Sequence, residues 1–301
     1  AQARANTKNT DLSWVEMGPD NVGGRTRSIV PVNENLIYAG AVSGGLWRSL
    51  DGANTWNQVE GFPILMVASI AVATNGDIYV GTGSQFDGAG GDGGSGFRGR
   101  GIWWSNDEGE TFNIIEETDP GAFSGGDWSS NDALIKDPLA NNRVWYGSND
   151  SFGTIENGVI DGNSTSGGPT GGVSDIAIAH DGSYMLVAAT NGRVYRSTND
   201  QLSTFEAITA GGSNTGSLPQ SGIGRARIAI SQDDPNHAFA LYATSGGSFY
   251  GLYHSDGASE MGNPFLSISV RMGTHSEAEL TKWVPFRKEW VRMGTHCWSR
   301  L

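Results

Sequence analysis

Residues 105–112 read Ser105-Asn106-Asp107-Glu108-Gly109-Glu110-Thr111-Phe112, an S-x-D-x-G-x-T-[W/F] stretch that returns along the chain. Ser49-Leu50-Asp51-Gly52-Ala53-Asn54-Thr55-Trp56 repeats it with Ala53 where Gly is usual. A looser copy runs from Ser197 to Phe205 with Asn199 in the acidic place, and a fourth begins at Ser255 and keeps little else. The chemistry is that of a hairpin turn. A short carboxylate accepts backbone N–H groups just ahead of it, and glycine supplies the positive φ that a tight turn needs. Trp56 and Phe112 then open the next strand with an apolar face to bury. No ligand is required by any of this.

Each copy closes the same run of short strands. An apolar strand comes first (Ser69-Ile70-Ala71-Val72, Asp175-Ile176-Ala177-Ile178), then a second such as Ile37-Tyr38-Ala39-Gly40 or Ile78-Tyr79-Val80-Gly81. A third carries an aromatic before the Ser, as in Leu46-Trp47-Arg48-Ser49, and the turn leads into a fourth. Four short strands per unit, rich in β-branched and aromatic residues and broken by Gly, Asn and Asp, predict the blades of an all-β propeller with antiparallel sheets. The recurring Ser residues lie at 49, 105, 197 and 255, and the long middle interval holds a unit without a turn motif, placed at Asp132 to Gly153. Five blades are recognisable, beginning near Arg25, Val67, Ser130, Val173 and Arg225. Six or seven blades, or a piece of a larger propeller, stay open.

Composition narrows the partners. The 301 residues carry a net charge of −13, which argues against nucleic acid and for a secreted or surface protein. The 45 glycines are turn glycines, without a triplet period. The single cysteine, Cys297, excludes an intramolecular disulfide framework. No leader is visible at Ala1, and the apolar stretch Phe62 to Ala73 is too short to span a bilayer, so membrane insertion is not expected. Domain boundaries are read as an N-terminal extension 1–13, a propeller 14–265 and an atypical basic tail 266–301. The tail holds six Lys/Arg against three Asp/Glu and repeats Val-Arg-Met-Gly-Thr-His at 270–275 and 291–296. It reads as a fused or frame-shifted end, a docking tail, or the completion of a last blade.

Innermost propeller strands face a central channel, so the candidate site is sought at their heads. Aligning first strands places Arg27, Ser69, Asp132, Asp175 and Arg227 in one column, with Arg25, Val67, Ser130, Val173 and Arg225 two residues earlier. A period of two sends both columns to one face. Arg25, Arg27, Arg225 and Arg227 are therefore the candidate ligand-binding residues and Asp132 and Asp175 the candidate catalytic carboxylates. Structural ion pairs around a wet channel are the alternative. Trp104, beside Trp103, is a candidate rim aromatic for stacking on a sugar. Asp87 and Asp92 lie among glycines in the insertion 83–101. Two carboxylates lacking a bidentate Glu or regular D-x-D spacing favour a rim loop, with calcium at Asp87 and Asp92 as the alternative, and no other cofactor is expected.

The repeated turn resembles the Asp-box (BNR repeat) of sialidase-type and sortilin-type β-propellers, in which Ser49, Asp51, Trp56, Ser105, Asp107, Gly109 and Phe112 would be structural. The opening Trp14-Val15-Glu16-Met17-Gly18-Pro19, with Asn21-Val22-Gly23-Gly24-Arg25 and Ser43-Gly44-Gly45-Leu46-Trp47-Arg48-Ser49, resembles large secreted bacterial propeller proteins of the sortilin-like and BNR-repeat glycosyl hydrolase type. The resemblance covers about residues 14–257 and implies the fold far more than an activity. A sialidase would further need a Tyr–Glu nucleophile pair, and none can be placed. A non-catalytic module binding a glycan or a cell-surface protein is the leading expectation, and a glycoside hydrolase using channel-mouth carboxylates the alternative.

Overall fold

The computed structural model describes residues 25–85, 98–121, 128–161, 166–197, 201–208, 218–219, 221–255 and 257, with the backbone of 266–268. The opening motif at Trp14, the extension 1–13, Asn199, Asp87 and Asp92, and the tail beyond 268 lie outside the described residues.

Five four-stranded antiparallel meanders make up the fold. The first contains β1 (Thr26–Pro31), β2 (Ile37–Ala41), β3 (Gly45–Ser49) and β4 (Asn57–Gln58), and the second β5 (Val67–Val72), β6 (Ile78–Thr82), β7 (Ile102–Ser105) and β8 (Asn113–Ile114). The third contains β9 (Ala133–Lys136), β10 (Arg143–Gly147), β11 (Phe152–Glu156) and β12 (Val159–Asp161). The fourth contains β13 (Val173–Ile178), β14 (Met185–Ala189), β15 (Val194–Ser197) and β16 (Phe205–Ala207). The fifth contains β17 (Arg225–Ile230), β18 (Ala238–Ala243), β19 (Phe249–Ser255) and β20 (Leu266–Ile268). The chain is a β-propeller, and the only helical turn among the described residues is the 3₁₀ segment Glu116–Thr118. β20 falls past residue 265. The compositional break lies there, but the ladder continues across it for three residues.

Alternation within each strand shows how the blades stack. Ile70, Ile78, Val80 and Trp103 of the second sheet join Tyr38, Leu46 and Val59 of the first in one core. Ala71, Tyr79 and Ile102, on the opposite face of that sheet, join Leu134, Val144, Tyr146 and Ile155 of the third. The third and fourth sheets share Trp145, Phe152, Ile176 and Val187, and the fourth and fifth share Leu186, Ala188, Ile228 and Tyr242. A middle sheet is thus packed on both faces, which is why every residue of β13 and all but the last of β5 are buried. β17 alternates buried Ala226, Ile228 and Ile230 with half-buried Arg225, Arg227 and Ala229. The innermost strands pack in order, β1 on β5, β5 on β9, β9 on β13 and β13 on β17.

The two clear repeated turns connect the outer strands β3–β4 and β7–β8. Ser49 Oγ donates to Asp51 Oδ1 at 2.9 Å, and Asp51 accepts the Thr55 N–H at 2.8 Å and the Thr55 hydroxyl at 2.7 Å. Asp107 repeats the set with Ser105 at 2.7 Å and with the Thr111 N–H and hydroxyl at 2.9 and 2.6 Å. Gly109 sits at φ +82°, and a Cβ there would stand 2.7 Å from Tyr38 Oη of the preceding blade. That hydroxyl donates to the Glu108 carbonyl at 3.1 Å, so the turn also clips one blade to the next. Ala53, the first copy's substitute for glycine, adopts φ 71° as well.

These bonds set an acid response. The Thr111 hydroxyl and N–H, with Ser105, hold the Asp107 carboxyl down at about 2 from an ordinary 3.8. A carboxyl depressed in the folded state contributes stability that is complete above the unfolded value and is lost as pH falls toward the folded one. Stability should therefore drop between about pH 4 and pH 2, and Asp107→Asn should flatten that slope while lowering stability at pH 7. Urea midpoints measured across this window provide the check. An unchanged slope in the variant would count against the assignment.

Candidate functional site

The heads of the innermost strands bring together charged groups from far apart in sequence. Arg27, in β1, donates from Nη2 to Asp132 Oδ1 at 2.7 Å across 105 residues, past the whole second blade. Asp132, 2 % exposed, stands just ahead of β9. It also accepts the Ser84 hydroxyl and the Gln85 N–H, each at 3.2 Å, and the Ser130 hydroxyl. Asp175, 4 % exposed, accepts the Ile228 N–H at 3.0 Å and the Ile176 N–H at 3.1 Å. Arg227 Nη1 lies 3.5 Å from its Oδ1 and donates to the Ser174 carbonyl at 2.5 Å.

Arg225 lies within electrostatic reach of Arg227, Arg27, Asp132 and Asp175. Burial first, then the like charges of Arg227 and Arg27, press its guanidinium down to about 9, with the two carboxylates opposing. Arg27, Arg225 and Arg227 against Asp132 and Asp175 leave this group of five with one positive charge in excess. Arg25 is exposed at the head of β1, where its carbonyl accepts the Val42 N–H at 2.9 Å.

The column deduced from period two needs correction. Pairing with the second strand shifts between Thr26 and Ser28, between Val67 and Ser69, and between Val173 and Asp175. Each of these strands carries one extra residue near its start (Arg27, Ala68 and Ser174), and strict alternation does not pass through it. Ser28 and Ser69 pair with Gly40 and Gly81, Ala133 with Gly147, and Asp175 with Ala188. Arg27 and Asp132 therefore share one position, and Ser69 and Asp175 the next. A bulge re-aims the side chain it carries, and this one turns Arg27 toward Asp132. Ser69 belongs to the frame, its hydroxyl donating to the Asn131 carbonyl at 2.7 Å.

Trp104 is half-buried, with part of its ring turned to the core. It packs on the core between the second and third sheets, and a Cβ on Gly158 would lie 2.5 Å from its ring. Alternation on β7 gives Trp103 to one intersheet core and Trp104 to the other, because this sheet has no free face. Two supporting residues went unread in the sequence. Ser84 was hidden in the insertion. Asn131, fully buried, donates from Nδ2 to the Trp128, Thr82 and Gly101 carbonyls at 2.9, 3.0 and 3.2 Å. The run Ser130-Asn131-Asp132 before an apolar strand was the available signal.

No protein-family model matches the sequence, and no curated protein matches it. Among solved structures the chain is similar to an ancestral GH74 enzyme, at 22% identity and a TM-score of 0.53, over 76% of this chain and 30% of that one. It is similar to the GH74 enzyme of Niastella koreensis at 17% identity and a TM-score of 0.54, over 80% and 38% of the two chains. YCF48 from Cyanidioschyzon merolae gives 11% identity and a TM-score of 0.50, over 82% and 73%. The chain spans well under half the length of either GH74 enzyme. At these identities the likeness is one of propeller fold.

Proposed function

We propose that this chain is a propeller of the Asp-box, sortilin-like kind, secreted or displayed on the cell surface, acting as a non-catalytic module that binds a glycan or a cell-surface protein. The carrying observation is the state of the two carboxylates. An acid or base in glycoside hydrolysis must exchange a proton with the glycosidic oxygen or with water. Asp132 is instead surrounded by Arg27, Ser84, Ser130 and the Gln85 N–H, and Asp175 by two backbone N–H groups and Arg227. Both act as anchors for arginines. What the axis offers a ligand is hydrogen-bond donors and positive charge. The net charge of −13 and the absence, among the described residues, of a helix long and apolar enough to cross a membrane agree with an extracellular role.

A glycan array run beside a panel of chromogenic glycosides tests this reading. Binding without turnover is the expected result. Turnover that disappears in folded Asp132→Asn or Asp175→Asn protein would replace the module with a hydrolase.

A further inference from the structure

Two imidazoles meet at the end of the fifth blade opposite the strand heads. His237 stands just before β18, and His254 is the last residue but one of β19. The ladder sets their backbones, pairing Phe239 with His254, and Phe239 lays its ring on His254 with centroids 4.7 Å apart. The turn ahead of β18 is tied internally. The Asp234 N–H donates to Ser231 Oγ at 3.2 Å, the Asn236 N–H to Asp234 Oδ1 at 3.0 Å, and the His237 N–H to the Asp234 carbonyl at 3.0 Å. His237 Nδ1 then lies 3.0 Å from His254 Nε2, and Asp234 Oδ2 lies 3.6 Å from His237 Nε2. The two ring centroids are 5.1 Å apart and the planes only 15° apart. With nitrogens so much closer than centroids, the rings lie edge to edge, nitrogen toward nitrogen, rather than face on face.

We propose that His237 and His254 are two ligands of a divalent transition-metal ion of the class that seeks imidazole nitrogen: zinc, copper or nickel. The site is separate from the axial group and stands independently of the binding-module reading. Two nitrogens held on one ion by bonds of about 2.0–2.1 Å stand about 2.9 Å apart when the bonds meet at a right angle and about 3.4 Å apart in a tetrahedron. The observed 3.0 Å falls between these values. Asp234 supplies the outer partner that metal-binding histidines commonly have, a carboxylate on the other ring nitrogen. It draws the His237 proton to Nε2, which leaves Nδ1 bare and makes His254 Nε2 the donor in the bond between the rings. Taking up an ion moves the His254 proton from Nε2 to Nδ1 through solvent and turns each ring about its Cβ–Cγ bond, so that both lone pairs converge. Both imidazoles stay neutral. The His237 side chain is 35% exposed, so an ion can enter from solvent. Among the described residues no three His, Cys, Asp or Glu side chains form a group that could hold an ion by themselves. The other positions therefore fall to water or to a donor brought by a ligand, as in an open rather than a closed site.

Calorimetric titration of the full chain with Zn²⁺ and, separately, Cu²⁺ tests this, with Mg²⁺, which takes oxygen ligands, as the control. The tail adds His275, His296 and Cys297, so the titration is repeated on His275→Gln/His296→Gln/Cys297→Ser protein. That protein should keep one equivalent, which His237→Gln or His254→Gln then removes. Asp234→Asn should weaken binding by about tenfold, and the exposed His180→Gln should bind as the parent does. The melting temperature should rise by about 5 °C at a hundredfold excess over Kd. Copper bound to the tail-substituted protein should show coupling to two imidazole nitrogens by electron paramagnetic resonance. That spectrum reads the site with both histidines in place, so it decides the matter even where a variant fails to fold. No equivalent in the tail-substituted protein, an equivalent that survives either blade substitution, an equal response to Mg²⁺, or a copper spectrum with a single nitrogen overturns the proposal.

Discussion

Gly81→Val is expected to lower stability by about 4 kcal/mol, above the usual 1–3 kcal/mol for overpacking, because backbone as well as side chain must give way. Gly81 is the last residue but one of β6, and a Cβ there would stand 2.4 Å from Ser69 Oγ and 2.6 Å from the Asn131 carbonyl oxygen. Those two atoms are bonded to each other at 2.7 Å, so the intruding group meets the junction of second and third blades at its tightest point. Gly40 and Gly147 hold the same place in their blades, and a Cβ on either would lie 2.4 or 2.5 Å from Val67 or Val173 of the next blade. The fourth blade has Ala188 there, fully buried in the core it shares with Ala226. A methyl group is admitted only where the next blade presents alanine. Melting should fall by about 10 °C for a domain of this size. A loss under about 1 kcal/mol would show that the blades separate more readily than these distances allow.

The glycines of Ile-Tyr-Ala-Gly and Ile-Tyr-Val-Gly were visible in the sequence as strand ends, yet their reason lies in the neighbouring blade, which no single strand reveals. The repeat itself was legible because each of its parts answers to local physics: alternation for strands, an acidic side chain and glycine for the turn. The convergence of Arg27 and Asp132 was legible too, since repeat alignment brings residues 105 apart to equivalent heads of strands. The register was not. One extra residue at Arg27, Ala68 or Ser174 leaves no mark in composition, and it shifts every assignment ahead of it by one. Trp104 shows a related limit. Alternation said that the two tryptophans point opposite ways, but only the stacking of three sheets shows that Trp103 is buried in one core and the half-buried Trp104 packs against the other.

Asp132→Ala is the second large effect expected, a loss of about 3–5 kcal/mol, the range for breaking a buried ion pair from one side. The Arg27 side chain is 12% exposed, so its charge would remain in place with little water to replace the lost partner. The hydroxyls of Ser84 and Ser130 and the Gln85 N–H would lose their acceptor in the same step. Asp132→Asn keeps an acceptor of the same shape and should cost less, about 2 kcal/mol. The informative variant removes both ends. Arg27→Met with Asp132→Leu should recover most of the loss, because a paired charge in a protein interior is commonly matched by apolar groups of similar volume. A double-mutant cycle on urea midpoints would then give a coupling of more than about 1 kcal/mol. Recovery of stability in the double variant would show that the pair holds the first blade against the third through the match of its two ends rather than through either charge alone.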